Sequence, residues 1–185
     1  MPTRDLFCSA CGTAYVPPLA YPRSCPNPTC AMQVWANPIP VAVALVPIVD
    51  GDRTGLLVVR RGLEPGGGKL ALVGGFVEDH ERWQTACVRE VREEVQVEID
   101  PSSVVLLDAV STEPRPTRIL LFATCAPVER ARLPPFVPGA ESAERGVVWG
   151  PGGLDDVFAF PLHAAAARRW FERAKTAGSH AFLAA

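Results

Sequence analysis

The chain has 185 residues, 48% of them hydrophobic, and a formal net charge of −2 at pH 7. This length allows one ordinary domain with a small extra module, and the hydrophobic content suffices for a packed core. The charge is not the basic pattern of a protein whose main partner is nucleic acid. The longest apolar stretch, residues 39–49, contains two prolines and is too short to span a membrane. With no signal-peptide pattern at the N-terminus, we expect a cytoplasmic protein with a small ligand.

Four cysteines define the first segment, which we place at residues 1–37. Cys8 and Cys11 form a CxxC pair, and Cys25 and Cys30 follow after thirteen residues. Two turn-borne pairs of thiolates suit a tetrahedral zinc ion, and so short a segment needs such a ligand to fold. The spacing resembles a zinc ribbon, although four residues rather than two separate the second pair. Two disulfides or free thiols are the alternatives, and a reducing compartment disfavours the disulfides.

A folded domain is predicted over residues 38–185. Hydrophobic runs bounded by Gly, Pro or Asp predict its strands. They are residues 39–49, 54–61, 70–77, 104–110, 118–126 and 147–150. The first two read as a hairpin around a turn at residues 50–53, and paired glycines interrupt the third. Helical spacing predicts helices at about Glu81 to Val95 and about Leu162 to Ala177. Because strands and helices mix without regular alternation, we expect an α+β fold with a mixed sheet flanked by helices.

The first of these helices carries the residues with the clearest chemistry. Glu90, Glu93 and Glu94 fall at positions i, i+3 and i+4, within one face of the helix. Three carboxylates there repel one another unless a cation lies among them, and hard oxygen ligands favour Mg²⁺ or Mn²⁺. Such an ion binds phosphates and lowers the pKa of a coordinated water, which predicts pyrophosphate hydrolysis. The alternative is a solvated acidic face paired with Arg89 and Arg92.

The segment around these glutamates resembles the Nudix box. The box reads Gly, five residues, Glu, seven residues, Arg-Glu, an aliphatic, any residue, Glu-Glu, any residue, Gly, an aliphatic. Residues 75–97 match at every position but one, because Gln96 stands where the pattern has glycine. Val73, where relatives often have proline, is a weaker departure. The resemblance covers roughly residues 39–160 and implies a Nudix α/β/α sandwich with a mixed sheet, here preceded by a small zinc ribbon.

The resemblance also implies roles for the matching positions. The ligands of a catalytic Mg²⁺ or Mn²⁺ would be the carboxylates of Glu90, Glu93 and Glu94 and the backbone carbonyl of Gly75. Arg89 would orient one of these carboxylates through a charge-assisted pair. Glu81 would brace the loop before the helix and complement the helix dipole. Gln96 at a helix end implies modest strain or a different exit of the chain.

Other candidates lie outside the box. Family members often supply an additional carboxylate, as metal ligand or general base, from the loop before the last strand. Glu141 and Glu144 fall in that loop, and we prefer Glu144. Arg115 and Arg118, between two predicted strands, could reach substrate phosphates. The alternative for the two glutamates is ordinary solvation.

The resemblance implies hydrolysis of the pyrophosphate bond of a nucleoside diphosphate linked to another moiety. A zinc ribbon before such a domain is similar to NADH pyrophosphatases. Their SQPWPFPxS motif corresponds here to STEPRPTRI at residues 111–119, which keeps a serine and two prolines but lacks the aromatics. ADP-ribose is therefore favoured at least as much as NAD(H). A non-catalytic Nudix ligand-sensing module and an RNA-end (NAD-cap) hydrolase are the alternatives, and family analogy suggests a homodimer.

Overall fold

The structure is a computed structural model that describes residues 6–113, 116–175 and 182–185. The chain divides into two compact units, Met1–Pro38 and Ile39–Ala185. In the first unit, the short strands β1 (Arg23–Ser24) and β2 (Gln33–Val34) pair in antiparallel orientation. Within the described ranges, no helix has the length and apolar character needed to cross a membrane.

The second unit is built from two mixed sheets and three helices in its described part. In chain order the elements are β3 (Ile39–Leu45), β4 (Pro47–Asp50), β5 (Arg53–Arg61), β6 (Leu70–Ala71), β7 (Val73–Phe76), α1 (Trp83–Val95), β8 (Val105–Ser111), β9 (Arg118–Thr124), β10 (Val128–Glu129), β11 (Ser142–Val148), α2 (Leu154–Val157), α3 (Pro161–Arg173) and β12 (Phe182–Ala184). One sheet has the order β7-β3-β9-β8. The other has the order β10-β4-β5-β11-β12, with β6 paired to β5. The parallel pairs β3–β9 and β10–β4 make both sheets mixed.

Alternate side chains of the central strands belong to two different hydrophobic clusters. One cluster joins Ala42, Ala44, Leu57 and Val59 to the buried face of α1, which contributes Ala86, Cys87, Val91 and Val95. The other joins Val43, Leu45, Leu56 and Val58 to α3, through Ala164, Ala167 and Phe171. Neighbouring strand residues point to opposite faces, so the two clusters lie on opposite sides of the strands. The predicted α/β/α arrangement with mixed sheets is confirmed.

The first predicted strand is in fact two strands in different sheets. β3 ends at Leu45 and β4 begins at Pro47, so the chain changes sheets at Val46. The carbonyl of Val46 accepts a hydrogen bond from the N–H of Leu57 at 3.0 Å. Only β4 and β5 form the predicted hairpin, while β3 pairs with β7 and β9. The prediction of one hairpin from residue 39 is wrong in its first half, because a continuous apolar run does not reveal a change of sheet.

Other element boundaries also differ from the prediction. The break in the predicted strand at residues 70–77 falls at Leu72, and the paired glycines lie inside β7. α1 begins at Trp83, two residues later than expected. β11 begins at Ser142 rather than at Val147, because pairing with β5 and β12 supports polar residues that carry no apolar pattern. α3 ends at Arg173.

His163 is a buried polar side chain under the break between β6 and β7. Its Nδ1 accepts a hydrogen bond from the backbone N–H of Leu72 at 3.3 Å. The ring packs near Phe122 and Phe160, with centroids 5.7 Å and 5.1 Å away. Burial lowers the pKa of His163 to about 4, and the charge of Arg61 acts in the same direction. The imidazole is therefore neutral near pH 7, which leaves Nδ1 free to accept the hydrogen bond from Leu72 at the break between the two strands.

We expect His163 to make the fold less stable as the pH falls. Its pKa is about 4 when folded and about 6.5 when unfolded, so below pH 6.5 the unfolded state binds the additional proton. The free energy of unfolding should fall between pH 6.5 and pH 4, by up to about 3 kcal/mol. His163→Asn places its carbonyl oxygen at the position of Nδ1 and does not titrate, so its stability should vary less. Urea unfolding of both proteins from pH 4 to 7.5 measures this, and parallel profiles would contradict it.

Candidate metal centres

The paired glycines of β7 permit two close backbone approaches. A Cβ on Gly74 would lie 2.3 Å from the carbonyl oxygen of Ala42 on the neighbouring strand β3. A Cβ on Gly75 would lie 2.3 Å from Oε1 of Glu90 on α1. Both distances are shorter than a real carbon–oxygen contact allows. Only glycines at these positions let the strand lie against its neighbour on one side and a helix carboxylate on the other.

Arg89 joins the glutamates to the loop that precedes α1. Its guanidinium donates to Oε1 and Oε2 of Glu81 at 2.8 and 3.3 Å, and to the carbonyl of Phe76 at 2.9 Å. It also donates to Glu90 at 2.7 Å and to Glu93 at 3.2 Å. This one cation therefore compensates three carboxylates and ties the helix to the end of β7.

Glu81 braces the loop but does not begin the helix. Its Oε1 accepts a hydrogen bond from the N–H of Glu78 at 2.8 Å, and its pairing with Arg89 lowers its pKa below the usual range. The N-cap residue is Arg82, and the first turn of α1 contains no acidic residue. Because Glu81 directly precedes the N-cap residue, its expected interaction with the helix dipole stays a prediction. The expected contact with the loop is present.

The three glutamates of α1 differ in their exposure. The side chain of Glu93 is 54% exposed and that of Glu90 is 12% exposed. Burial raises the pKa of Glu90, and burial together with the charges of Glu90 and Glu141 raises the pKa of Glu94 to about 8. Oε2 of Glu94 is buried and makes no hydrogen bond to any residue that the structure describes. A divalent cation among these carboxylates would reverse both unfavourable effects, so the donor set fits a metal.

A cleft of about 300 Å³ opens beside these glutamates. Its lining consists of Glu90, Glu93, Glu94, Gln96, Val137, Gly139, Ala140, Glu141 and Ser142. Oγ of Ser142 is buried and has no hydrogen-bond partner within the described part of the chain. The cleft therefore brings the α1 carboxylates opposite the carboxylate of Glu141, in the loop before β11, and the hydroxyl group of Ser142, at the start of β11.

The two candidate carboxylates before the last strands are placed differently. Glu144 lies in β11 rather than in a loop, and its carboxylate accepts a hydrogen bond from Nε of Arg60 at 2.7 Å. It does not line the cleft, whereas Glu141, which directly precedes β11, does. The register of β11 against β5 shifts between Ser142 and Glu144, and the sequence carries no signal for this irregularity. The geometry favours Glu141 as the additional carboxylate, the reverse of the preference drawn from the sequence.

Arg118, one of the two arginines predicted to contact substrate phosphates, is not brought into the cleft. Arg118 begins β9, and its guanidinium lies over the ring of Phe76, 5.8 Å from the centroid. It is not among the residues that line the cleft. Arg115 lies outside the described residues. A phosphate contact by either arginine stays a prediction.

Gln96 is a cleft residue that the sequence analysis treated only as a departure from the box. Its backbone is left-handed, with φ 56° and ψ 28°, which is the conformation that glycine adopts at a helix end. Its amide Nε2 donates to the carbonyl of Glu93 at 3.3 Å, and its Oε1 accepts from the N–H of Val137 at 3.1 Å. The only signal for this contact in the sequence is the departure itself.

Arg145 is a second residue that the sequence analysis missed. It is almost fully buried, and burial lowers its pKa. Its guanidinium donates to the carbonyl of Val95 at 2.8 Å, of Pro134 at 2.7 Å and of Ala185 at 3.1 Å. A cation at the last carbonyls of α1 complements the helix dipole. Arg145 therefore joins the C-terminal end of α1 to the loop that forms the opposite wall of the cleft.

The four cysteines of the first unit converge on one point. Their sulfur atoms all lie within 4.8 Å of one another. Sγ of Cys8 lies 3.7 Å from Sγ of Cys30, and Sγ of Cys11 lies 3.5 Å from Sγ of Cys25. Four sulfurs at about 2.3 Å from a tetrahedral ion are about 3.8 Å apart, whereas a disulfide needs about 2.05 Å. The geometry fits a metal ion and not the two disulfides left open by the sequence.

Asn27 accounts for the wider second cysteine pair. Its Oδ1 accepts hydrogen bonds from the N–H of Thr29 at 3.0 Å and from the hydroxyl of Thr29 at 2.8 Å. Its carbonyl accepts one from the N–H of Cys30 at 3.1 Å. Asn side chains stabilise turns in this way. The four residues between Cys25 and Cys30 are thus held in a turn that still presents both thiols to the cluster.

Comparison with known proteins gives a family match. A family model described as NUDIX domain matches residues 38–177. No curated protein matches the chain significantly. A solved NUDIX hydrolase from Nitrosomonas europaea is 21% identical, with a TM-score of 0.63, and the match covers 94% of this chain and 96% of that chain.

Two further solved structures are similar over shorter stretches. The NUDIX domain of Shewanella oneidensis NrtR, complexed with ADP ribose, is 19% identical with a TM-score of 0.55, over 75% of this chain and 87% of that chain. A MutT/nudix family protein from Enterococcus faecalis is 20% identical with a TM-score of 0.57, over 64% of this chain. The match spans only 46% of that protein. At these identities the likeness is one of fold.

The contact between Gly75 and Glu90 generates a test of the metal centre. We expect Gly75→Ala to weaken Mn²⁺ binding about 10- to 100-fold, as changes around metal ligands typically do, because the new Cβ displaces the Glu90 carboxylate. Calorimetric titration measures the affinity, and thermal unfolding checks the fold. In the control Gly67→Ala the Cβ meets nothing nearer than the Glu64 carboxylate at 3.3 Å, so binding should not change. Unchanged affinity in folded Gly75→Ala protein would remove Glu90 from the site.

Proposed function

We propose that this chain, which belongs to the NUDIX domain family, is a pyrophosphohydrolase that cleaves nucleoside diphosphates linked to a second group. The observation that carries the proposal is the cluster of Glu90, Glu93 and Glu94 against Gly75. There a buried carboxylate oxygen of Glu94 has no partner within the described ranges. A buried carboxylate oxygen without a partner is costly unless a cation compensates it. The cluster is therefore better suited to binding metal than to stabilising the fold.

In this proposal, some residues of the box bind the metal ion and others hold those ligands in position. The carboxylates of Glu90, Glu93 and Glu94 and the backbone carbonyl of Gly75 would bind Mg²⁺ or Mn²⁺, which prefer oxygen ligands. Bound there, the cation would neutralise the diphosphate and lower the pKa of a coordinated water. Arg89 keeps the carboxylates of Glu90 and Glu93 in place through hydrogen bonds of 2.7 and 3.2 Å. Glu81 in turn orients Arg89.

We assign the additional carboxylate to Glu141. It lies in the wall of the cleft that faces α1, where it could accept a proton from an attacking water or contribute a metal ligand. Glu144, which the sequence favoured, is engaged with Arg60 and would position that arginine instead.

ADP-ribose is the substrate that we place first, and NAD(H) second. The NUDIX domain of NrtR was solved with ADP ribose, which supports this order for a protein of the same fold. The segment at residues 111–119 lacks the aromatic side chains of the NADH pyrophosphatase motif. A ligand-sensing module without catalysis is disfavoured because every carboxylate of the box is present.

A substrate panel tests the hydrolase proposal. We expect Mg²⁺- or Mn²⁺-dependent release of a nucleoside monophosphate from at least one compound among ADP-ribose, NADH, NAD, diadenosine polyphosphates, nucleotide sugars and NAD-capped RNA. Glu93→Gln and Glu94→Gln should each lower kcat at least about 100-fold, since each removes a charged metal ligand. Glu172→Gln, on an exposed position of α3, is the matched control and should not. No turnover of any compound, or undiminished turnover in both box variants, would overturn the proposal.

We also propose that residues 1–37 form a structural zinc ribbon and that residues 38–185 form a Nudix domain. The sulfur distances of 3.5 and 3.7 Å support tetrahedral coordination by Cys8, Cys11, Cys25 and Cys30. Four thiolates leave no open coordination position, so this ion would not take part in catalysis. A reducing cytoplasm, where we place the protein, keeps the thiols available. A homodimer stays a prediction from family analogy.

Metal analysis tests the ribbon. We expect about one zinc per chain in the purified protein. Cys8→Ser should lower the zinc content, because serine is a poor zinc ligand. Cys125→Ala changes a buried cysteine of the second unit and is the control that should keep its zinc. Full zinc content in the Cys8→Ser protein would contradict the proposed ligand set.

A further inference from the structure

Gln96 stands where the Nudix box has glycine, and its side chain bridges two segments. The amide Nε2 donates to the carbonyl of Glu93 at 3.3 Å, and Oε1 accepts from the N–H of Val137 at 3.1 Å. A carbonyl needs a donor and an N–H needs an acceptor, so only one orientation of the amide satisfies both partners. We infer that Gln96 is a positioning residue that tethers the loop at residues 137–141 over the metal ligands of α1.

The loop is anchored at its two ends by backbone contacts. Before it, the carbonyl of Pro134 accepts from Nη2 of Arg145 at 2.7 Å. At the end of the loop, the carbonyl of Glu141 accepts a hydrogen bond from the N–H of Gly62 at 2.8 Å. Between these anchors Gln96 holds Val137, whose own side chain is 69% exposed and adds little packing. Residues 137–141 are all exposed, so the tether acts on a stretch of the loop that burial does not support.

The backbone of Gln96 shows why the side chain matters. With φ at 56°, a residue that has a Cβ is strained by about 1 kcal/mol, and glycine would avoid that cost. The two side-chain hydrogen bonds offset a cost of this size. Glycine at this position would end the helix equally well but would leave Val137 without its partner. With glutamine in place of glycine, the backbone at position 96 is strained, but the side chain holds the loop in place.

A fixed loop affects binding because of what it carries. Glu141 and Ser142 line the cleft, as does Gln96 itself. Holding Glu141 in place before the metal and substrate arrive removes part of the entropic cost of ordering it on binding. Gln96 therefore acts through Glu141. This step rests on the proposed function, in which Glu141 supplies the additional carboxylate.

Two substitutions distinguish the effect of the Gln96 side-chain hydrogen bonds from the effect of its strained backbone. Gln96→Gly restores the box residue and relieves the strain, whereas Gln96→Asn tolerates the left-handed backbone but is one methylene too short to reach Val137. Both should raise the Mn²⁺ concentration needed for half-maximal turnover by about 2- to 10-fold, the equivalent of one lost hydrogen bond. The melting temperature of Gln96→Gly should stay the same or rise. A loss of affinity in the glycine variant alone would point to backbone freedom and overturn the inference.

Amide hydrogen exchange tests the tether without any turnover. Val137 is exposed, so its N–H should exchange about 2- to 10-fold faster in both variants once Oε1 of Gln96 is removed. The N–H of Gly139, which bonds to the carbonyl of Ser142 at 2.9 Å, is the internal control. Unchanged exchange at Val137 would overturn the tether, whatever the activity. Faster exchange at Val137 in the variants of a protein that hydrolyses no compound of the substrate panel would support the tether and count against the proposed hydrolysis.

A double-mutant cycle tests whether Gln96 acts through Glu141. In a Glu141→Gln background, Gln96→Gly should add little to the change in the Mn²⁺ requirement, because the group that it positions is already removed. Fully additive effects would show that Gln96 and Glu141 act independently. That result would overturn the positioning role.

Discussion

Mutual repulsion of three carboxylates on one face of α1 is the constraint around which the second unit is arranged. Glu90, Glu93 and Glu94 cannot all be ionised at close range without compensation, and burial makes the problem worse for Glu94. Arg89 provides part of the compensation, and Glu81 fixes Arg89. What remains unpaired at Glu94 is the part of the cluster that a divalent cation fits.

The surrounding fold keeps this strained cluster in one geometry. The two hydrophobic clusters clamp the central strands between α1 and α3, so α1 cannot move away from β7 to relieve the repulsion. Gly75 brings the strand against the Glu90 carboxylate, and Arg145 holds the C-terminal end of α1 through the carbonyl of Val95. Packing thereby offsets an electrostatic cost that the site carries for its function, which is a common relation between stability and activity.

Local features were accessible from the sequence because they depend on short spacings. The helix that carries the glutamates was predicted to within two residues at its start, since its apolar period shows which side faces the core. Features that depend on contacts between distant parts of the chain were predicted incorrectly. The run at residues 39–49 is uniformly apolar, so nothing in it marks Val46 as the point where the chain changes sheets. Glu141 and Glu144 look alike in sequence, and only the shifted register of β11 separates them.

By itself, the sequence determined which helix carries the glutamate cluster and which cysteines form the candidate zinc site, because α-helical geometry and turn-borne cysteine pairs place such side chains within a few residues of one another. The tertiary structure alone decided which loop carboxylate faces the helix and what Gln96 contacts. Val137 lies 41 residues beyond Gln96, and no periodicity connects positions so far apart. Their contact exists because two packed sheets bring the end of α1 and the loop before β11 to the same cleft.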